Sequence, residues 1–262
     1  MIRREEPDAI WLIQQMAHAY ISGAIAAHWI GNGTMSLAPR DDLVLAATNH
    51  DAGWLDADRQ PGLNDQGMPR TFTEMPLDQH FTIWRDSIEA VFFQSRYAGL
   101  LTSRHCTALY EQRLRFVADT PDDKARIEDF LAYWHGWQDD QIAAMADHPV
   151  YAPFVAPDRL AENVRLLQVW DYLSLLLGMS AVHEQTLDDI PFNSGVRGTL
   201  HIASQGLRGM TLDPYPLDAP LTLWIDAREV IGGPFDSASE FQTLLADVPY
   251  QPLHFAISPL NA

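Results

Sequence analysis

Asn49-His50-Asp51-Ala52-Gly53-Trp54 is the stretch around which the chain is organised. It follows the apolar run Leu43-Val44-Leu45-Ala46-Ala47 and precedes a broken segment from Asp56 to Pro76. A histidine followed directly by an aspartate, at the C-terminal end of a buried helix, sets an imidazole beside a carboxylate. A divalent metal binds both. The dipeptide is common by chance, so its meaning rests on ligands arriving from elsewhere in the chain.

Upstream, Ile10, Leu12, Ile13, Met16, Ala17, Tyr20, Ile21 and Ala24 recur at helical spacing, which predicts a helix from about Asp8 to Trp29. Gly31-Asn32-Gly33 ends it. His18 lies beside the apolar stripe, whereas His28, further along, is rotated roughly 80° away at about 100° per residue. His18 is therefore the inward candidate. The small residues Ala17, Ser22, Gly23 and Ala24 allow a second helix to approach closely.

Downstream, Pro61, Gly62, Gly67, Pro69 and Pro76 deny regular structure, and a connection that long tends to form a lid or pocket wall. Helices are then expected over 77–93, 97–117, 121–145 and 159–182. His80 falls in the first turn of the first and His105 near the middle of the second. Asp171 sits between Trp170 and Tyr172 at the centre of the last. A carboxylate buried there is costly unless it is paired or metal-bound.

Beyond residue 190 the pattern changes. Thr199-Leu200-His201-Ile202, Met210-Thr211-Leu212, Leu221-Thr222-Leu223-Trp224-Ile225 and Leu253-His254-Phe255-Ala256-Ile257 are strand signals. Ser237 and Glu240 are spaced as a helix capping box, although that segment also reads as a strand. The expected fold is mainly α: a helical metal-binding domain over 1–190, with a small β-rich C-terminal extension over 191–262 packed on it. The extension is expected to cover an edge of the helices or to form a homodimer.

Composition narrows the function. The 262 residues are 47% apolar, enough for a full core. No apolar run is long enough for a membrane span, and no signal peptide is evident. The single Cys106 fits a reducing, cytoplasmic setting and is read as core. A net charge of −18 argues against nucleic acid or an anionic membrane as partner. It leaves room for a small anionic substrate, because a bound metal reverses the local field.

Taken in chain order, His18, the His50-Asp51 pair and Asp171 resemble the HD-domain superfamily of metal-dependent phosphohydrolases. Its signature is His, then His-Asp, then a distant Asp. His80 and His105 add the two histidines of the two-metal subgroup, in which the Asp of the pair bridges the ions. Gln15-x-x-His18-Ala19-x-x-Ser22-Gly23, His50-Asp51-x-Gly53-Trp54, Ser103-x-His105 and Trp170-Asp171-x-Leu173-Ser174-Leu175 are similar to an uncharacterised bacterial HD-like branch over most of the chain.

The resemblance implies an HD-like helical bundle and hydrolysis of a small phosphate-containing or similar anionic substrate at a binuclear His/Asp centre. One or two divalent ions would be held by His18, His50, Asp51, His80, His105 and Asp171, with His50 and Asp51 at the catalytic centre. Gln15, Trp54 and Arg104 are pocket candidates, with Phe72 and Trp170 as further wall residues. Imidazole and carboxylate donors suit Fe, Mn, Zn or Ni, and the absence of thiolate from the set argues against a Cys-type structural zinc site. Many two-metal hydrolases carry Lys where this chain has Trp54, so cyclic-dinucleotide hydrolysis is not implied. Two alternatives use the same ligands: a mixed-valent di-iron oxygenase of the HD type, and a non-catalytic metal-binding or sensor protein.

Overall fold

A computed structural model describes residues 1–33, 37–193 and 195–260. The chain begins as a hairpin and not as a helix. Strand β1 (Ile2–Glu6) pairs antiparallel with β2 (Ala9–Ile13) across Pro7-Asp8. Trp11, Leu12 and Ile13 are consecutive and all buried. Short apolar runs of that kind do not separate a buried helix from a strand covered on both faces. Here both faces are covered: Trp11 and Ile13 join the main core, while Leu12 packs on the other side with Val230, Phe241 and Leu245.

Five further strands complete the sheet: β3 (Gln185–Asn193), β4 (Val196–Ser204), β5 (Gly209–Asp213), β6 (Leu221–Val230) and β7 (Tyr250–Pro259). Their order is β1-β2-β6-β7-β5-β4-β3, antiparallel except for the parallel pair β5 and β7. This seven-stranded mixed sheet curves into a half-barrel, and about half of the chain is helical. The molecule is therefore an α/β fold. That corrects the expectation of a mainly α, all-helical bundle with a small β-rich extension. The reason is topological: the N-terminal hairpin crosses to β6 and widens a sheet that the C-terminal strands alone would leave narrow.

The helices are α1 (Gln15–His28), α2 (Arg40–Asn49), α3 (Leu55–Arg59), α4 (Leu77–Phe92), α5 (Arg96–Phe116), α6 (Pro121–Met145), α7 (Pro157–Gly178) and α8 (Ala238–Asp247). Local chemistry sets several starts. The Ser95 and Thr120 hydroxyls accept the amides of Ala98 and Asp123, and Pro121 occupies the first turn of α6. Ser237 caps α8 in the same way, accepting from Glu240 N, while Glu240 takes the amide of Asp236. Helices α1, α2, α5 and α7 pack on one another, with α1 against β6 and α7 against β3. At the α1–α2 crossing, a Cβ on Gly23 would lie 2.0 Å from Thr48 Oγ1, so glycine is required by close approach.

Helices and sheet share one core. Trp29 of the α1 C-cap stacks on Phe192 of β3 at 6.4 Å and meets Trp170 of α7 edge-on at 6.0 Å. Arg4 of β1 is fully buried and donates to the carbonyls of Leu177 and Leu207 as well as to Glu6 Oε1 at 2.6 Å. Arg208 adds a two-pronged contact to Glu6, and together these arginines hold that carboxyl down to about 2. A buried guanidinium with this many acceptors fixes the sheet edge against the end of α7.

Candidate metal centre

Five buried side chains converge where α1, α2, α5 and α7 meet: His18, His50, Asp51, His105 and Asp171. His18 Nε2 lies 2.9 Å from Asp51 Oδ2 and 3.6 Å from Asp171 Oδ1. His50 Nε2 lies 3.2 Å from Asp171 Oδ1 and 3.7 Å from Asp51 Oδ2. His105 Nε2 is 3.4 Å from Asp171 Oδ2. Donor atoms of His18, His50 and Asp51 fall within 4.8 Å of one another, as do those of His50, His105 and Asp171. These buried His/Asp groups can hold a metal ion.

The local sequence delivers the pair in two steps. α2 ends at Asn49, and His50, still helical, turns its Nδ1–H back onto the carbonyl of Ala47 at 2.9 Å, satisfying a helix-end acceptor. A single 3-10 turn, Ala52–Trp54, then seats against α4. A Cβ on Gly53 would lie 2.1 Å from Ile83 O and 2.8 Å from Ser87 N, and the Gly53 amide donates to Ser87 Oγ at 2.9 Å. The glycine two residues after Asp51 is thus a packing requirement that holds the carboxylate in place.

Hydrogen bonding assigns the protons on two imidazoles. Ser174 Oγ–H donates to Asp171 O at 2.7 Å, so its oxygen accepts from His18 Nδ1–H, also at 2.7 Å. His50 Nδ1–H is committed to Ala47 O. In the neutral form each ring therefore aims an Nε2 lone pair at carboxylate oxygens, an arrangement that is repulsive unless a cation lies between them. His50 Nε2 is buried without hydrogen-bond geometry to any acceptor, despite its 3.2 Å approach to Asp171. A proton can serve in the ion's place. Burial opposes charging His50, but Asp51 and Asp171 outweigh it and raise the group to about 9. Burial also works against the charged form of Asp171, yet His50, His105 and His18 hold it well below the usual carboxylate range. His105 goes the other way, pushed down to about 4 by burial.

The centre opens into a cavity of about 380 Å³. Gln15, Trp54, Thr73 and His80 line it, with Arg113 the one arginine or lysine among its lining residues. Phe72, Met75, Leu109, Val117 and Leu175 give it apolar walls. The connection between α3 and α4 supplies Phe72, Thr73 and Met75, the first two from a 3-10 turn (Phe72–Glu74) in a stretch expected to have no regular structure. Arg113 is held by Asp119 through two hydrogen bonds, of 2.9 and 2.6 Å.

Three sequence candidates lie outside the five-residue cluster. His80 shares the cavity but belongs to neither ligand group: its Nδ1 meets Tyr110 Oη at 2.8 Å, and its ring lies 5.5 Å from Trp54. Arg104 lines a different cavity, because the residue next to His105 on a helix points about 100° away. Trp170 packs in the core against Trp29. Ser174, Tyr110, Arg113 and Asp58 were not among the site candidates. Ser174 was legible in principle, lying three residues after Asp171 on the same helix face. Asp58 was not: it accepts the Gln15 amide at the start of α1 and pairs with the Met1 amine at 2.7 Å, contacts that only the folded chain brings together. Burial raises its carboxyl above the ordinary value.

The fold and site define an α/β protein with a buried His/Asp cluster able to hold a metal. The family model described as "Protein of unknown function (DUF3891)" matches residues 1–231, and the chain belongs to that family. No curated protein and no solved structure matches it significantly. Among the described residues no helix is long and apolar enough to cross a membrane.

Proposed function

We propose that the chain is a metal-dependent hydrolase acting on a small substrate with one anionic head and an apolar body. The observation that carries this reading is the pair of Nε2 atoms, on His18 and His50, facing the Asp51 and Asp171 carboxylates at the floor of an open cavity. The ligand order His, His-Asp, Asp, which resembles the HD superfamily, supports the same reading.

The donor set favours one ion. His50 is common to both groups, and its Nδ1 is occupied by Ala47 O, so only Nε2 is free to ligate. A single nitrogen lone pair serves one ion. When bound, a divalent ion supplies Lewis acidity that polarises a substrate oxygen and acidifies water at neutral pH.

The chain's own residues do the rest. Asp51 and Asp171 balance the ion's charge, and Ala47 and Ser174 orient the imidazoles behind it. Tyr110 Oη meets His80 Nδ1 at 2.8 Å; with the phenol donating, the imidazole proton would sit on Nε2. Burial holds His80 down to about 4, which makes it a neutral donor in the cavity wall. Trp54, Phe72 and Leu175 exclude water and suit an apolar substrate body.

The test is elemental analysis of protein purified without added metal, followed by a panel of phosphomonoesters, phosphodiesters and carboxylic esters. About one Fe, Mn, Zn or Ni ion per chain with metal-dependent turnover is the expected result. Absence of bound metal would refute the centre. A coupled mixed-valent iron signal in electron paramagnetic resonance would refute the hydrolase and favour oxygenase chemistry.

A further inference from the structure

A second cavity, of about 480 Å³, opens between α5, the N-terminal half of α7 and strands β3 and β4. Its apolar side is formed by Ile142, Val155, Leu160 and Val164. Its polar side carries three arginines, Arg104, Arg165 and Arg197, together with Thr107 and Gln168. The chain has 17 Lys and Arg against 35 Asp and Glu, so three guanidinium groups around one hollow run against its overall balance.

Those charges are not all cancelled. Arg197 pairs with the Asp189 carboxylate at 2.8 Å. Arg165 donates to the backbone carbonyls of Asp188 and Asp189, at 2.6 and 3.2 Å, which satisfies its geometry without a directly opposed carboxylate. Arg104 makes no ion pair among the described residues, and its Nε is buried without a hydrogen-bond partner. Glu111, the other acid at the rim, is engaged by His135 at 3.2 Å. A guanidinium left unmatched beside an apolar wall is a recognition element for a planar anionic head.

We infer that this cavity is a binding site, separate from the metal centre, for a small organic anion. Its carboxylate or phosphate head would meet Arg104 and Arg165, and its short apolar body would lie on Leu160 and Val164. The inference does not depend on the hydrolase reading, since none of its residues is a proposed metal ligand.

Calorimetric titration of the purified protein with hexanoate, hexyl phosphate, hexanol and inorganic phosphate tests it. Hexanoate or hexyl phosphate is expected to saturate a single site, and the stronger of the two identifies the head group. Hexanol and inorganic phosphate are each expected to bind at least about tenfold more weakly. Arg104→Gln should weaken the preferred anion by about tenfold or more, with metal content unchanged. Val164→Trp, which fills the apolar side, should abolish binding independently, while Arg113→Gln at the metal cavity should leave it intact. No saturable binding of either amphipathic anion, affinity unaffected by both Arg104→Gln and Val164→Trp, or loss only in Arg113→Gln would each overturn the inference.

Discussion

The two cavities are built on the same pair of helices and have opposite electrostatics. On α5, His105 faces one and Arg104, its neighbour, faces the other; on α7, Asp171 and Gln168 are one turn apart. In the His/Asp cavity the ionisable groups are buried and face one another, so each depends on a compensating charge, a proton or an ion, between them. In the arginine cavity the guanidiniums rest largely on backbone carbonyls and one surface carboxylate. The difference teaches where energy is concentrated. Removing one member of a buried, mutually dependent set strands the rest, whereas removing a group from the outer cavity strands little.

The largest effect should follow Asp171→Ala. It leaves His50 and His105 without their shared carboxylate, and a stability loss of about 3–5 kcal/mol is expected in chemical denaturation of the metal-free chain. Metal content should fall from about one ion to less than about a tenth of one per chain. Full retention of metal would erase the distinction between the cavities.

Acid–base titration sharpens the same comparison. In metal-depleted protein His50 is raised from 6.5 to about 9, so its protonated form contributes stability that is complete below 6.5 and lost as pH rises through about 9. His80 and His105, pushed from 6.5 down to about 4 by burial, act in the other direction. They stay neutral in the fold and cost stability as pH falls from 6.5 toward 4. Thermal melts should therefore peak near 6.5 and decline on both sides. Saturating metal should flatten the alkaline decline, because the ion replaces the proton on His50. An alkaline limb that ignores metal would show that the two do not compete for one place.

A smaller, steric effect belongs to Gly53→Ala. Its new Cβ meets the backbone of α4, and the forced shift should cost about 1–3 kcal/mol in denaturant midpoint and loosen metal binding without removing a ligand. At the bottom of the scale, Gln168→Ala on the arginine cavity should change stability by no more than about 0.5 kcal/mol and leave metal content untouched. A loss of metal there would mean that α7 transmits between the sites.

The helical elements were legible because their signals are local. The starts expected at 77, 97, 121 and 159 fall within two residues of those of α4, α5, α6 and α7. Strands β4 to β7 were legible from alternating or apolar runs bounded by Gly and Pro. The hairpin was not, because Ile10, Leu12 and Ile13 fit a helical stripe as well as a strand, and the helix was extended backward over them. Among the site residues, His18, His50, Asp51, His105 and Asp171 were chosen for residue type and position on a helix, and the fold brings them together. His80 met the same criteria and turned instead to Tyr110.

By itself, then, the order of residues determined which segments coil, which side chains have donor chemistry, and that one acidic chain could gather imidazoles and carboxylates on several helices. Tertiary structure alone decided the breadth of the sheet, the turn of His80 toward Tyr110 and the assignment of Arg104 to a cavity of its own. The reason is range: helix periodicity and caps act over a few residues, whereas strand partners such as Ile10 and Val230, or cluster residues such as His18 and Asp171, meet only when distant parts of the chain bury their surfaces together.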